Sequence, residues 1–81
     1  MRKELVIQST EGLHAVLASK LVHLASAYAS DVTLEYADKS VDAKSVLGLM
    51  SLAVPAGENV VVKADGDDAQ EAIEEISRLL E

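Results

Sequence analysis

The sequence predicts an α+β domain in which an antiparallel sheet has helices on one face and solvent on the other. Two periodicities predict this class. Segments such as Arg2–Gln8 alternate apolar and polar residues, as half-buried strands do. Segments such as Ala15–Tyr28 repeat apolar residues every three to four positions, as amphipathic helices do. The predicted order is β-α-β-β-α-β-α within a single domain of residues 1–81.

Composition limits the core and the available chemistry. The chain has 81 residues and is 49% hydrophobic, but its only aromatic residues are Tyr28 and Tyr36. A core of Val, Leu, Ile and Ala fills a two-layer domain and leaves little room for a deep pocket. Because the chain has no cysteine, disulfides, thiolate metal sites and a cysteine nucleophile are excluded.

Charge and hydropathy exclude two further classes of protein. The net charge of −7 argues against direct binding to nucleic acid, because phosphate backbones require basic patches. The sequence shows neither a signal-peptide core nor an apolar run long enough to span a membrane. We therefore expect a cytoplasmic protein without membrane insertion.

The first strand and helix flank a glycine turn. Arg2–Gln8 predicts a strand, Ser9–Gly12 its exit loop and Ala15–Tyr28 a helix. On that helix Val16 falls on the solvent side, although a single exposed Val normally needs no explanation. The buried face is predicted to contain Leu17, Ala18, Leu21, Val22, Leu24, Ala25 and Tyr28.

The middle of the chain reads as a hairpin followed by a short helix. Asp31–Tyr36 alternates as a strand, Asp38–Lys39 is the predicted hairpin tip, and Ser40–Ala43 is the return strand. Lys44–Leu52 predicts a helix with Ser45 as its N-cap. Its apolar residues run almost all round, which predicts an exposed contact surface that includes Val46, Leu47 and Met50.

The last strand and helix follow a turn at Pro55–Gly57. Glu58–Asp65 alternates as a strand. Asp68 and Glu71 have the spacing of a capping box at the start of the final helix. The apolar stripe of that helix is predicted to be Ala69, Ala72, Ile73, Ile76, Leu79 and Leu80.

His14 is the leading candidate for chemistry. Gly12 permits a tight turn two residues earlier, which places the imidazole at the start of a helix whose first N–H groups lack internal partners. Such N–H groups bind anions, and a neutral imidazole is a nucleophile that can accept a phosphoryl group. A lone His in a small domain is, however, more often a surface residue or a helix cap.

Two other polar residues have simpler interpretations. His23 lies on the exposed helix face without a His or carboxylate three or four residues away, so we expect a solvated side chain and no metal site. Helix capping alone would explain Ser45, although a phosphate there would also be stabilised by the helix N-terminus. No cofactor is predicted.

Two motifs resemble those of the HPr family, the histidine-containing phosphocarriers of the bacterial sugar phosphotransferase system. Gly12–Ala15 matches the start of the active-site signature of the family, and Ala43–Leu52 closely matches its regulatory-serine signature in the Gram-positive style. The resemblance covers nearly the whole chain. It implies an open-faced β-sandwich with four antiparallel strands and three helices.

The resemblance also implies a function and partners. A phosphoryl group would pass from phosphoenolpyruvate through enzyme I to the pros nitrogen of His14, and then to sugar-specific IIA domains. A kinase/phosphorylase would modify Ser45, and that form would bind a transcriptional regulator of carbon catabolite control. The docking surface of the family corresponds here to Ala15, Val16, Ser19, Lys20, His23, Val46, Leu47 and Met50.

The sequence departs from the family at one point, which keeps a second interpretation open. After His-Ala the family signature continues with Arg and Pro, whereas this chain has Val16 and Leu17. A regulatory module that acts through phosphorylated Ser45, with weak or no carrier activity, is therefore the alternative to a phosphocarrier. An acyl carrier, also small and acidic, is rejected because such proteins are all-helical and carry Asp-Ser-Leu, whereas Lys44 precedes Ser45 here.

Overall fold

A computed structural model describes all residues from 1 to 81 and contains four strands and three helices. Every predicted element is present, in the predicted order. The elements are β1 (Arg2–Val6), α1 (Ala15–Ser26), β2 (Asp31–Tyr36), β3 (Lys39–Asp42), α2 (Val46–Leu52), β4 (Asn59–Asp65) and α3 (Ala69–Leu80).

The four strands form one antiparallel sheet in the order β1-β4-β2-β3. The register places Leu5 opposite Val60, and Leu34 opposite both Val62 and Val41. These residues share one face of the sheet because side chains alternate along a strand. The three helices cover that face, so the predicted open-faced fold is confirmed.

The core lies between the sheet and the helices. It contains 21 buried apolar residues, all of them Val, Leu, Ile or Ala. Tyr28 and Tyr36 are only half-buried at its edge. The core is therefore built from Val, Leu, Ile and Ala, as the composition predicts.

Outside the β2–β3 hairpin, four predicted boundaries are wrong by one or two residues. The β1 ladder ends at Val6 rather than Gln8, because the Gln8 N–H turns to the carbonyl oxygen of Leu80, 3.0 Å away. Helix α1 ends at Ser26 rather than Tyr28, since the Tyr28 N–H bonds back three residues to Ala25. Helix α2 begins at Val46 rather than Lys44, and β4 begins at Asn59 rather than Glu58.

The β2–β3 hairpin tip is Ala37–Asp38, so the predicted tip at Asp38–Lys39 is wrong. Tyr36 pairs directly with Lys39, which leaves a two-residue loop. Ala37 and Asp38 have φ values of 50° and 67°, as in the mirror-image turns that match the twist of paired strands. The return strand consequently runs from Lys39 to Asp42 rather than from Ser40 to Ala43.

Asp68 occupies the N-cap position of α3, but the predicted capping box does not form. Its side chain makes no hydrogen bond to the helix. The carboxylate instead accepts from the N–H groups of Ala29 (2.8 Å) and Ser30 (3.0 Å) and from the Ser30 hydroxyl. Asp68 therefore ties the start of α3 to the turn between α1 and β2, where the buried Ser30 hydroxyl needs a partner.

Asp68→Asn is expected to lower Tm at pH 7 by roughly 5–10 °C, because an amide oxygen is a weaker acceptor than a carboxylate. Hydrogen bonds from Ser30 and Ala29 lower the pKa of Asp68 from its usual value. A lowered folded-state pKa gives stability that is present above the unfolded pKa and lost as pH falls through the folded one. The difference in Tm from the parent should therefore shrink below about pH 4.

Asp67→Asn is the matched control, because it removes the same charge from an exposed neighbouring residue. Thermal unfolding followed by circular dichroism from pH 2.5 to 8 measures both variants. Equal Tm values for Asp67→Asn and Asp68→Asn at pH 7 would contradict the stabilising role of Asp68.

Candidate functional site

The turn before α1 depends on Gly12. Its φ of +71° lies in the left-handed region, which glycine adopts without strain. The following N–H, that of Leu13, donates to the Val54 carbonyl oxygen at 2.9 Å. A Cβ atom on Gly12 would overlap that same oxygen and lie 2.9 Å from the Ala56 nitrogen. The turn is thus held tightly against the segment that follows α2.

This turn places His14 at the N-cap of α1. His14 has extended backbone angles (φ −92°, ψ 177°), and its carbonyl oxygen accepts the first helical hydrogen bond, from Ala18, at 2.8 Å. The imidazole does not cap the helix, and 31% of its surface is exposed. The sequence prediction that His14 lies at the helix start is therefore confirmed, and its ring is partly accessible to a partner.

The first turn of α1 is electrostatically suited to an anion. The N–H groups of Ala15, Val16 and Leu17 have no hydrogen-bond partner, and this turn contains no acidic residue. Unpartnered N–H groups and the helix dipole together favour a negative charge beside the N-cap. Position 16 adds no cationic side chain to this turn, because it holds a Val whose surface is 59% exposed.

Glu11 is a neighbour of His14 that the sequence analysis did not single out. Its Oε2 atom lies 3.8 Å from Nε2 of His14. The signal in the sequence is a carboxylate three residues before the His, on the other side of a glycine turn. Helical spacing rules do not apply across such a turn, so only the folded structure shows that the two side chains meet.

Ser45 forms the second site, at the start of α2. Its hydroxyl accepts from the Gly48 N–H at 3.0 Å, which confirms the predicted N-cap. The adjacent Lys44 reaches away, and its ammonium donates to the Tyr28 carbonyl oxygen at 3.0 Å, near the end of α1. A half-buried capping hydroxyl at a helix start is a position where an added phosphate would be stabilised.

The residues assigned to a docking surface are exposed, as predicted. Helices α1 and α2 contact each other, so their outer sides form a neighbouring pair of surfaces. The most exposed of the large apolar side chains is Leu47, with 85% of its surface accessible. The exposed residues are Ala15, Val16, Ser19, Lys20 and His23 on α1, and Val46, Leu47 and Met50 on α2.

Neither His14 nor Ser45 lines a pocket. The concavity of the chain, about 450 Å³, is open and includes Arg2, Asp31, Thr33 and Lys63 in its lining. Arg2 begins β1, whereas the loop that leads to His14 follows its other end. His14 therefore lies on a surface that a partner protein can reach, and not in a pocket that would enclose a small substrate. None of the three helices has the length and apolarity that a membrane crossing requires.

Comparison with known proteins identifies relatives along the whole length of the chain. The family described as "PTS HPr component phosphorylation site" matches residues 1–81. The chain is similar to the crystal structure of HPr-C-His from Thermoanaerobacter tengcongensis, with 39% identity, a TM-score of 0.95, and coverage of 99% of this chain and 90% of that one.

Two other solved structures extend the comparison. The phosphocarrier protein HPr from Bacillus anthracis str. Ames shares 32% identity and a TM-score of 0.97, over 100% of this chain and 96% of that one. The Bacillus subtilis catabolite repression containing protein Crh shares 41% identity and a TM-score of 0.81, over 96% of this chain and 90% of that one. The chain therefore belongs to the HPr family of the phosphotransferase system.

Proposed function

We propose that this protein carries a phosphoryl group on His14, received from phospho-enzyme I and passed to sugar-specific IIA domains. The observation that carries this proposal is the accessible imidazole at the N-cap of α1, beside three unpartnered N–H groups. These groups stabilise the negative charge that the ring acquires with the phosphoryl group. The protein is a covalent carrier and a substrate of other enzymes, and it acts in the cytoplasm.

Phosphorylation with phosphoenolpyruvate and purified enzyme I tests the proposal. Intact mass spectrometry should show one added phosphate that is lost in acid, as a phosphoramidate bond is. His14→Ala should abolish this phosphate, whereas the matched variant His23→Ala, on the exposed side of α1, should retain it. If the parent protein acquires no acid-labile phosphate in this reaction, the carrier function is overturned.

The regulatory alternative is favoured by a different observation. The hydroxyl of Ser45 caps α2, whereas Val16 and Leu17 stand where the family signature has Arg and Pro. In such a regulatory module, a kinase/phosphorylase would phosphorylate Ser45, and a catabolite-control regulator would bind the phosphorylated form. This function requires the Ser45 hydroxyl but not the missing Arg. An acid-stable phosphate from ATP and that kinase, without an acid-labile one from enzyme I, would favour this function.

Ser45→Asp is expected to weaken binding to enzyme I by roughly tenfold, since it places negative charge beside the exposed apolar residues of α2. Asp is itself a good N-cap, so the fold should be retained. Titration calorimetry measures the effect. Ser40→Asp, which adds the same charge at an exposed position of β3, is the control. Equal affinities of Ser45→Asp and the parent would sink this prediction.

A further inference from the structure

The His14 site pairs the imidazole with a carboxylate, and this pairing has a chemical consequence. Oε2 of Glu11, a carboxylate oxygen, lies 3.8 Å from Nε2 of His14. The distance is longer than a hydrogen bond. The Glu11 side chain is 75% exposed, so a rotation within its own free space brings the two atoms together.

The position of Glu11 is fixed by its backbone. The Gly12 N–H donates to the Ser9 carbonyl oxygen at 3.1 Å, and the Glu11 N–H donates to the Ser9 hydroxyl at 3.4 Å. Beyond the turn, Leu13 is bonded to Val54. The turn thus fixes the backbone from which the Glu11 side chain projects, and Nε2 is the ring nitrogen that its carboxylate approaches.

We infer that Glu11 is a positioning residue that holds the proton of neutral His14 on Nε2 and leaves the lone pair on Nδ1. A neutral imidazole donates from one nitrogen and accepts at the other. An acceptor that faces Nε2 therefore selects the tautomer with Nε2–H. This inference rests on the proposed function, because it assigns to Glu11 the selection of Nδ1, the pros nitrogen, as the acceptor that the family resemblance implies.

Phosphoryl transfer to His14 exchanges one N–P bond for another. The Nδ1 lone pair of His14 attacks phosphorus, and the Nδ1–P bond forms as the N–P bond of the donor phosphoimidazolium breaks. The electron pair of that bond returns to the donor ring, which leaves as neutral imidazole. The His14 ring keeps its Nε2–H and acquires the positive charge that the donor ring loses. Glu11 stabilises this charge, while the N–H groups at the start of α1 face the phosphoryl group.

The tautomer is measured directly by ¹⁵N chemical shifts of the ring nitrogens in alkaline solution. In the parent, Nε2 should be the protonated nitrogen of His14. Glu11→Ala should lower the ratio of the Nε2–H to the Nδ1–H tautomer by about two- to fivefold, the effect of one exposed hydrogen bond. Glu11→Asp should restore part of it.

Two controls isolate the effect. Glu4→Gln removes the same charge from the exposed side of β1 and should leave the ratio unchanged, and His23 is an internal reference on α1. In transfer from phospho-enzyme I, Glu11→Gln should lower the maximal rate about two- to fivefold with KM unchanged, because Glu11 acts on the ring.

The outcomes separate this inference from the proposed function. A tautomer ratio that is identical in Glu11→Ala and the parent would overturn the positioning role, even if His14 accepts phosphate normally. A ratio that responds to Glu11, in a chain that enzyme I does not phosphorylate, would support the positioning role and overturn the carrier function.

Discussion

Gly12→Ala is expected to destabilise the protein by about 2–4 kcal/mol and to slow phosphoryl acceptance by His14. Two effects add. An Ala at a φ of +71° costs about 1–2 kcal/mol, because its Cβ atom crowds the backbone. The new Cβ also overlaps the carbonyl oxygen of Val54, and relieving that overlap moves the turn and costs about 1–2 kcal/mol more.

The displacement matters because the same oxygen accepts the Leu13 N–H. Moving the turn away from Val54 breaks this hydrogen bond and shifts His14 relative to the first N–H groups of α1. A shift of about 1 Å at a reacting group can lower a rate about a hundredfold. Loss of stability and loss of phosphoryl transfer should therefore appear together in Gly12→Ala.

Gly57→Ala is a control that separates backbone strain from overlap. Gly57 also has a positive φ, of +82°, but nothing lies within 4 Å of its added Cβ. This variant should lose only about 1–2 kcal/mol and should transfer phosphate normally. Urea unfolding measures both stabilities, and the enzyme I assay measures both rates. Equal destabilisation by the two substitutions would contradict the role assigned to the Val54 contact.

Most of the fold could be predicted from the sequence because its periodicities are clean. Alternation in β2 and β4 places Val32, Leu34, Val60 and Val62 in the core, and nothing in the tertiary structure overrides this pattern. The hairpin tip could not be placed, since Ala37–Asp38 lacks the Asn-Gly or Asp-Gly signal of such turns. Pairing between β2 and β3, rather than local preference, fixes its conformation.

The candidate site was predictable only in part. Gly12 and His14 were identified because a glycine turn followed by a helix start is a local pattern. The roles of Asp68 and Glu11 depend on contacts that spacing does not reveal. Asp68 matches a capping box in sequence, but it bonds to Ala29 and Ser30, which lie 39 and 38 residues away. A buried hydroxyl that needs a partner competes successfully with a local cap.

The departure at positions 16 and 17 changes the site in two opposite ways. Val16 supplies none of the positive charge that an Arg would bring to the phosphoryl group. Leu17, in contrast, retains an unpartnered N–H that a Pro would lack. Leu17 is also buried in the core, so it contributes packing to α1. A phosphoryl group on His14 would therefore be supported by backbone N–H groups and not by a cationic side chain at position 16.

Val16→Arg is accordingly expected to raise the rate of phosphoryl transfer from enzyme I by about tenfold or more. Charge-assisted hydrogen bonds of this kind contribute about 1.5–3 kcal/mol. The substitution should fold normally, because Val16 is 59% exposed and lies outside the core. Rapid-quench measurement of the acid-labile phosphate gives the rate within the complex and, from its concentration dependence, the affinity for enzyme I.

Ser19→Arg is the matched control, since it adds the same charge to an exposed residue further along α1. A general attraction between a more basic surface and enzyme I would change association in both variants. Direct stabilisation of the phosphoryl group would raise the maximal rate in Val16→Arg alone, because only that side chain lies within the first helical turn beside His14. An unchanged maximal rate in Val16→Arg would mean that the N–H groups of α1 already neutralise the phosphoryl group sufficiently, and that the missing Arg does not limit this carrier.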